Sequence, residues 1–433
     1  MKKIKVFTIS LGCPKNRVDT ERMLGALGSD MVPAERTEEA DLILINTCGF
    51  IRPAVEESVQ AILDAAEEIS GLPQKPLLAV TGCMVSRYGE LNEDLPEVDL
   101  WLTTDRVDLW PEIISKALGR DFNAATYRRI STGPSYAYLK ISEGCSHSCS
   151  FCTIPSIRGP HISRPIPALV EEAKTIVAGG IPELVLVGQD STAYGCDLDD
   201  GTAIRPLIEE LMKIDRLEWM RLMYLYPAGL TDSFLSFMAG AGRPLLPYFD
   251  IPLQHAHPEI LSSMGRPFAH NPRKVIERVR KHIPEAVLRT TIIVGYPGET
   301  EEHFKTLMDF VEETRFHHLG VFAYQAEEGT PAAELEQLPD EIKEERREAV
   351  MALQSDISHE LMEENIGRKV QVLVEKPHDE WDGLFTGRVW FQAPEVDGIT
   401  YVSSPEDGPE LSPGMIVEAE VDDCTDYDLI TLV

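Results

Sequence analysis

The chain is short of positive charge, of cysteine and of long apolar runs. Its 433 residues carry 40 Lys or Arg against 72 Asp or Glu, a net charge of −32 at pH 7. This balance disfavours a general nucleic-acid binder, because phosphate contacts need clustered cations. No apolar run reaches the roughly 18 residues of a membrane-spanning helix. Eight cysteines are too few for a disulfide scaffold in a chain of this length. In a reducing cytoplasm they favour metal binding or catalysis.

The first ten residues, MKKIKVFTIS, are basic and then apolar, like the start of a signal peptide. However, the apolar run is short and no small-residue cleavage site follows it. We interpret this segment as the first buried strand of a cytoplasmic protein.

The rhythm of apolar segments predicts an α/β protein with three domains. Short apolar strands alternate with helices over residues 1–118, which predicts a parallel sheet, and residues 119–134 look like a linker. Six strand–helix units over residues 135 to about 335 predict a (β/α) partial barrel, and a long charged helix over Asp340–Asn365 completes this domain, residues 135–365. Residues 366–433 contain short β-rich runs between Gly and Pro, which predicts a small β-barrel or sandwich.

A cysteine motif follows the first strand of the middle domain. Cys145, Cys149 and Cys152 have the spacing C-x3-C-x2-C within EGCSHSCSFC. Three thiolates from one loop can hold three irons of a cubane and leave the fourth iron open for a ligand. Zinc is the alternative, with His147 as the fourth ligand. The loop follows a barrel strand, where such barrels place their active sites, and this favours the cluster.

This motif on this fold resembles the radical S-adenosylmethionine (SAM) superfamily. GGIPELVLVG resembles its glycine-rich second-strand motif, which points to Gly179 and Gly180 as cosubstrate contacts, and Phe151 resembles the aromatic residue beside the adenine. The ordinary alternative is that these glycines end a helix. The resemblance implies an open iron that binds SAM, and a deoxyadenosyl radical that abstracts a hydrogen atom from an unactivated C–H bond.

A second cysteine set lies near the beginning of the chain. Cys13, Cys48 and Cys83 are spaced by 35 and 35 residues, and each follows a predicted strand. One strand–helix–strand unit takes about 30 residues or more, so these cysteines are predicted to meet at one edge of the sheet. Each has a glycine neighbour, Gly12, Gly49 or Gly82. We interpret the set as a second three-cysteine cluster site. The alternative is buried cysteines beside glycine turns.

Together the two cysteine sets and the small β-domain resemble the methylthiotransferase family of radical SAM enzymes over essentially the whole chain. SIRGPHISRP, which contains Arg158, and DIPLQHAHPEILSSMGR also look like family segments. The resemblance implies two 4Fe–4S clusters, SAM and an electron donor of the flavodoxin or ferredoxin type. It also implies that Asn16, Asn46 and Thr47 lie beside the cluster of Cys13, Cys48 and Cys83. Cys196 and Cys424 match neither set and are interpreted as incidental thiols.

The family modifies either an aspartate of small-subunit ribosomal protein twelve or an adenosine of tRNA, and the cysteines do not distinguish them. The C-terminal domain resembles the TRAM module, which meets RNA in the tRNA enzymes. Here residues 366–433 contain four Lys or Arg and fifteen Asp or Glu, a net charge of −11. Such a domain repels phosphate and attracts a basic protein, which favours the ribosomal substrate. The tRNA enzyme stays as the alternative, and a non-enzymatic iron–sulfur scaffold or electron carrier as a remote one.

Overall fold

The computed structural model describes residues 3–120, 128–198, 201–266, 271–405 and 408–433. The chain divides into two compact units. The first comprises Met1–Ser131, Glu143–His147 and Cys152–His161, and the second comprises Thr132–Ser142, Ser148–Phe151 and Ile162–Val433. Part of the predicted linker 119–134, residues 121–127, lies outside the described residues. The domain boundaries drawn from the sequence stay predictions.

The first unit is built on a parallel five-stranded sheet with the order β2-β1-β3-β4-β5. Its strands are β1 (Ile4–Ser10), β2 (Met31–Pro33), β3 (Leu42–Thr47), β4 (Leu77–Gly82) and β5 (Leu100–Leu102). Its helices before residue 121 are α1 (Pro14–Ala26), α2 (Arg52–Ile69), α3 (Cys83–Tyr88) and α4 (Trp110–Leu118). Helix α5 (Ile154–Arg158) also belongs to this unit, whereas β7 (Ser142–Glu143) lies at its boundary and β8 (Ile162–Ser163) belongs to the second unit.

Strand β3 shows why this sheet forms, because all six of its residues are buried. Leu42 and Leu44 pack in one core cluster with residues of α1 and α4. Ile43 and Ile45 pack in another cluster with residues of α2. A strand covered on both faces is expected to be continuously apolar, as in parallel α/β sheets.

Helix α1 is longer than the sequence predicted. The sequence pattern predicts a helix around Asp19–Leu27, but the helix begins at Pro14, with Cys13 at the N-cap. Proline suits the first helical position because its fixed φ matches the helix and its missing N–H would have no partner there. The earlier start matters because it places Cys13 directly at a helix N-terminus.

The second unit contains the six strands predicted for the partial barrel. They form two parallel three-stranded sheets, β10-β9-β6 and β11-β12-β13, and an isolated bridge pairs Met220 of β10 with Leu245, three residues before β11. The strands are β6 (Tyr136–Lys140), β9 (Glu183–Val187), β10 (Trp219–Leu222), β11 (Tyr248–Asp250), β12 (Val287–Val294) and β13 (His318–Ala323). The helices between them are α6 (Ile166–Ala178), α7 (Ile204–Leu211), α8 (Asp232–Ala241), α9 (Pro258–Ser263), α10 (Pro272–His282) and α11 (Glu301–Thr314).

Helix α12 (Asp340–Glu363) leads to a closed five-stranded barrel with the order β14-β15-β16-β18-β17. Its strands are β14 (Lys369–Pro377), β15 (Leu384–Val389), β16 (Thr400–Ser403), β17 (Ile416–Cys424) and β18 (Leu429–Leu432). The runs RKVQVLVE, GLFTGRVW, GITYVSS and GMIVEAEV predict the first four of them, but the sequence pattern missed β18, whose four residues are too few to show a period. The α/β fold class with a small C-terminal β-barrel is confirmed. No helix among the described residues is long and apolar enough to cross a membrane.

Candidate active site

The cysteine set near the beginning of the chain lies at the C-terminal ends of three adjacent strands. Cys13 follows β1 and caps α1, Cys48 follows β3, and Cys83 follows β4 as the first residue of α3. Strands β1, β3 and β4 are neighbours in the parallel sheet. Three loops from chain segments far apart in sequence therefore meet at one edge of the sheet, as the spacing predicted.

Two glycines allow these loops to pack against one another. A Cβ atom added to Gly12, which has φ +83°, would lie 2.9 Å from Cys48 Cβ and 3.1 Å from Cys48 Sγ. A Cβ atom added to Gly49 would lie 2.6 Å from both Met84 N and Met84 Cα. Larger residues would force the loops apart, so the glycines bring the thiols together.

Asn16 connects all three cysteine loops through one buried side chain. Its Nδ2 donates to the carbonyl of Leu11 at 3.1 Å and to that of Thr47 at 2.9 Å. Its Oδ1 lies 3.4 Å from Cys83 Sγ, which donates to it. Asn46 adds a bond from its Nδ2 to the carbonyl of Asn16 at 2.8 Å. The amide thus fixes the spacing of the loops, as predicted for a structural residue beside the thiols.

The three thiols influence one another's charge. The pKa of the Cys48 thiol is raised to about 11, mainly by desolvation. The neighbouring Cys83 and Cys13 also raise this pKa, whereas a backbone hydrogen bond lowers it. Desolvation also raises the pKa of Cys83, partly offset by the charge of Arg158. At Cys13 desolvation is outweighed by Lys15 and Arg158, so the pKa of its thiol is lowered. Such mutual effects require thiols that lie close together.

The spacing of the three sulfur atoms bears on what they could hold. Within the described residues, Cys13, Cys48 and Cys83 do not form a group whose sulfur atoms all lie within 4.8 Å of one another. A single tetrahedral zinc ion, with bonds of about 2.3 Å to sulfur, holds its thiolates about 3.8 Å apart. Thiolates that each bind a different iron of a cubane lie farther apart. The set therefore fits an iron–sulfur cluster better than a single metal ion.

The C-x3-C-x2-C motif follows β6 and β7. In the first unit, the backbone N–H of Cys145 donates to the carbonyl of Gly159 at 3.0 Å. A Cβ atom on the preceding Gly144 would lie 2.1 Å from the carbonyl oxygen of Pro160. This part of the motif is consequently held against the segment that follows Cys152. In the same unit Thr153 Oγ1 donates to the carbonyl of Phe50, two residues after Cys48, at 3.4 Å.

In the second unit, the segment Ser148–Phe151 is anchored to the end of α9. The N–H of Ser150 donates to Met264 O at 3.1 Å, and its hydroxyl donates to Ser263 O at 2.8 Å. Cys149 receives a further contact from Arg266, whose Nη1 donates to its Sγ at 3.7 Å. In the sequence, this arginine is marked only by its place at the end of the family-like segment DIPLQHAHPEILSSMGR.

Arg266 is held firmly in this position. Its Nη2 donates to the carbonyl of Pro252 at 2.6 Å, and its guanidinium lies 4.6 Å from the ring centroid of Tyr226. Its side chain is almost completely buried. A buried cation fixed beside a ligating sulfur orients that ligand.

Phe151 packs against an apolar cluster of the second unit. The cluster contains Met264, Tyr296 and Tyr324, and the rings of the two tyrosines meet edge to face at 5.3 Å. The aromatic side chain predicted to lie by a cosubstrate therefore sits at the border of a dry region beside the cysteine loop.

Gly179 and Gly180 lie elsewhere than expected for cosubstrate contacts. They end α6 and precede the N-terminal end of β9. The cysteine motif follows the opposite, C-terminal end of the parallel strand β6. The glycine at that end of β9 is Gly188, where a Cβ atom would lie 2.7 Å from Ser142 Oγ. The structure gives Gly179 and Gly180 the ordinary role of ending a helix, because a Gly–Gly pair stops helices regardless of what lies nearby.

A second group of possible metal ligands consists of His257, Glu259 and His303. Both imidazoles cap helices. His257 Nδ1 accepts from Glu259 N at 3.3 Å, and His303 Nδ1 accepts from Thr300 N at 3.2 Å. A neutral ring that accepts at Nδ1 carries its hydrogen on Nε2, which leaves no free lone pair there for a metal. We assign these side chains to helix capping.

Three family models match the chain. The Radical SAM superfamily model matches residues 139–311, which include the C-x3-C-x2-C motif, and this favours the cluster over zinc. The model of Uncharacterized protein family UPF0004 matches residues 5–103, and the TRAM domain model matches residues 366–433.

Close relatives cover the whole chain. The ribosomal protein uS12 methylthiotransferase RimO of Nitratidesulfovibrio vulgaris strain DP4 is 58% identical over 433 residues, which is 99% of this chain and 100% of the relative. The protein of the same name from Aquifex aeolicus is 45% identical and covers 98% of this chain and 96% of its own length. The chain belongs to the RimO family. The predicted methylthiotransferase family is confirmed, and with it a radical SAM transferase.

The RimO fold is also similar to solved structures of more distant proteins. The radical SAM methyltransferase TsrM from Kitasatospora setae, with tryptophan and a SAM analogue bound, has a TM-score of 0.56 at 14% identity. The match covers 89% of this chain and 78% of that chain. At this identity the likeness concerns the fold alone. Membership of the radical SAM superfamily implies SAM and one 4Fe–4S cluster as cofactors of the RimO family.

Proposed function

We propose that this chain attaches a methylthio group to the β-carbon of an aspartate in small-subunit ribosomal protein twelve. One observation carries this proposal. Relatives that match 99% of this chain at 58% identity bear the name ribosomal protein uS12 methylthiotransferase. The enzyme is then a [ribosomal protein] aspartate C3-methylthiotransferase that acts in the cytoplasm, where ribosomes are found.

Two clusters divide the work. Cys145, Cys149 and Cys152 hold the first one. Cys13, Cys48 and Cys83, whose convergence at one sheet edge supports the assignment, hold the second one. When bound, the first cluster supplies the electron that cleaves SAM to give a carbon radical, and the second carries the sulfur that is transferred. An electron donor of the flavodoxin or ferredoxin type provides the reducing electron.

The chain's own residues prepare the site in two ways. Asn16 and the close approach at Gly12 and Gly49 hold three thiols in fixed positions before any metal binds. Such preorganisation reduces the conformational cost of binding. The apolar cluster beside Phe151 keeps water away from the reacting centre. Exclusion of water prevents a reactive radical from being quenched.

The C-terminal barrel supports a basic protein as the substrate. Strand β17 presents Glu418, Glu420 and Asp422 on its exposed face. Of the four cations of this domain, Arg388 is buried, Arg368 is exposed, and Lys369 pairs with Glu418 at 3.1 Å. Lys376 pairs with Asp379 at 3.5 Å. Among the described residues this leaves an acidic surface, which attracts a basic ribosomal protein and repels the phosphates of tRNA.

The division of labour can be tested with cysteine variants reconstituted anaerobically with iron and sulfide. Dithionite, SAM and ribosomal protein twelve are added, and deoxyadenosine and methylthiolated aspartate are measured by mass spectrometry. We expect Cys145→Ala to abolish both products. Cys48→Ala should leave deoxyadenosine measurable but stop methylthiolation. Cys196→Ala, which removes an exposed thiol outside both sets, is the matched control and should change neither. Normal methylthiolation by Cys48→Ala would contradict the two-cluster proposal.

The substrate can be tested by offering ribosomal protein twelve and tRNA to the same enzyme. We expect only the protein to be modified, and its binding to weaken as salt concentration rises. The double variant Glu418→Lys/Glu420→Lys should weaken binding of the basic protein. Formation of methylthioadenosine in tRNA would overturn the substrate assignment in favour of the tRNA branch of the family.

A further inference from the structure

The side chain of Arg158 is buried in the first unit, directly beside the cysteine set of the sheet edge. Its Nε donates to Cys83 Sγ at 3.2 Å. Its Nη1 donates to Asp19 at 2.7 Å and to Glu143 at 3.1 Å. Its Nη2 donates to Asn16 Oδ1. Only 1% of this side chain is exposed, so the guanidinium is not a surface cation.

The partners of Arg158 connect it to both cysteine motifs within that unit. Asp19 lies on α1, the helix that Cys13 caps. Glu143 comes two residues before Cys145, and Arg158 itself ends α5, the helix that follows Cys152. The Arg158 guanidinium thus contacts Cys83 of the sheet-edge set. Glu143, which flanks the C-x3-C-x2-C motif, holds the guanidinium in place.

The planarity of the guanidinium decides where its Nε–H points. Arginine carries five N–H donors in a rigid plane. Asp19 and Glu143 accept from Nη1 and Asn16 accepts from Nη2, and these contacts fix the plane of the guanidinium and with it the direction of Nε–H. That direction is occupied by Cys83 Sγ at 3.2 Å. If Arg158 served only to pair with Asp19, neither the contact of Nη2 with the Asn16 amide nor the contact of Nε with the Cys83 sulfur would be required.

A hydrogen bond donated to a ligating sulfur stabilises the more electron-rich state of an iron–sulfur cluster, and it is one of the determinants of the cluster's reduction potential. We infer that Arg158 is a positioning residue that orients Cys83 and raises the reduction potential of the cluster held by Cys13, Cys48 and Cys83. This inference rests on the proposed function, because it requires the second cluster.

Lysine at position 158 tests this role. It keeps the positive charge beside Asp19 but lacks the planar donor that faces the sulfur. The background is the full chain with Cys145→Ala, Cys149→Ala and Cys152→Ala, so that only the sheet-edge set can bind a cluster. Arg158→Lys and its parent are reconstituted and their iron is counted. The reduction potential of the cluster is measured by a redox titration that is monitored by electron paramagnetic resonance. We expect iron to be retained and the potential to shift to more negative values.

The matched control is Arg266→Lys in the same background. Arg266 also donates to a cysteine sulfur, but to Cys149 of the other motif. We expect this variant to leave the potential of the remaining cluster unchanged. An equal shift in both variants, or no shift in Arg158→Lys, would overturn the role of Arg158.

A second measurement avoids any change at position 158. The parent protein is produced with ¹⁵N-labelled arginine, and the reduced cluster is studied by pulsed electron paramagnetic resonance. We expect a nitrogen coupling from a guanidinium at hydrogen-bond distance, and we expect it to persist in Arg266→Lys. Its absence would overturn the inference even if Arg158→Lys does not fold. A parent that binds no iron at all would instead show that the two-cluster proposal fails.

Discussion

Arg388 of the C-terminal barrel donates through Nη2 to Glu183, the first residue of β9, at 2.7 Å. Both side chains are completely buried or nearly so, at 1% and 0% exposure. Arg221 donates to the other carboxylate oxygen of Glu183 at 3.0 Å. The burial of Glu183 opposes its charge, but the two arginines outweigh this effect and lower the pKa of its carboxyl group. A buried ion network therefore fixes the small barrel to the strands of the partial barrel.

Removal of Arg388 is expected to destabilise this part of the chain. Arg388→Met should lower the free energy of unfolding by about 3 kcal/mol, since breaking a buried pair leaves an undercompensated charge in the interior. The measurement is urea denaturation followed by circular dichroism. Lys369→Met in the adjacent strand is the matched control, because its pair with Glu418 is exposed on both sides and contributes at most about 1 kcal/mol. Equal losses in both variants would contradict the assigned role.

A methyl group at Gly49 should disturb the packing of the cysteine loops. Because the added Cβ would meet backbone atoms of Met84 at 2.6 Å, the loops cannot yield as a side chain could. We expect Gly49→Ala to lower the free energy of unfolding by about 1–3 kcal/mol, the usual range for overpacking. Gly71→Ala is the control, since nothing lies within 4 Å of its added Cβ. Thermal unfolding compares the two, and an unaltered Tm for Gly49→Ala would refute the close approach.

The bracing role of Asn16 can be measured separately. Asn16→Ala removes the donor that serves the carbonyls of Leu11 and Thr47 and leaves them unpaired in a buried region. Each buried group left without a partner costs about 1–3 kcal/mol, so we expect a loss of about 3 kcal/mol in the free energy of unfolding. Asn365→Ala, which removes one bond to Leu361 O near the end of α12, should cost less than about 1 kcal/mol. A smaller effect at Asn16 than at Asn365 would be inconsistent with this bracing.

His317 should make the protein less stable in acid. Burial, together with the charges of His318 and Arg280, lowers the pKa of His317 to about 4. An unfolded histidine has a pKa of about 6.5, so the unfolded state binds more protons between these values. Stability is then expected to fall as the pH is lowered from about 6.5 to about 4, by up to about 3 kcal/mol.

The substitution His317→Asn checks this sign. The amide oxygen of Asn can accept from Leu288 N, as Nδ1 of His317 does at 3.2 Å, but it does not titrate. Urea denaturation at several pH values should show that the free energy of unfolding falls less steeply below about pH 6.5 in this variant than in the parent. His359→Asn changes a half-exposed histidine on α12 and serves as the control. An unchanged pH profile in His317→Asn would contradict the burial effect.

Sequence reasoning was strongest where the signal is local. The C-x3-C-x2-C spacing lies within eight consecutive residues, and it predicted the reaction class that the family model supports. The alternation of buried strands and helices predicted the parallel sheet and the six barrel strands. It was weaker at the ends of elements: α1 begins at Pro14, and the short β18 was missed. Gly179 and Gly180 were assigned from a motif, whereas the structure places them at the other end of β9.

The sequence by itself determined the reaction class of this protein, because the C-x3-C-x2-C spacing within one loop is a local signal that is typical of radical SAM enzymes. Only the tertiary structure decided what surrounds the sulfur atoms. Arg158 and Asp19 are 139 residues apart, yet they form an ion pair beside Cys83. No periodicity encodes such a contact, because it depends on how separate loops pack at the edge of the sheet. Spacing thus predicts which residues are candidates to hold a cofactor, while the side chains that contact their sulfur atoms are found only in the fold.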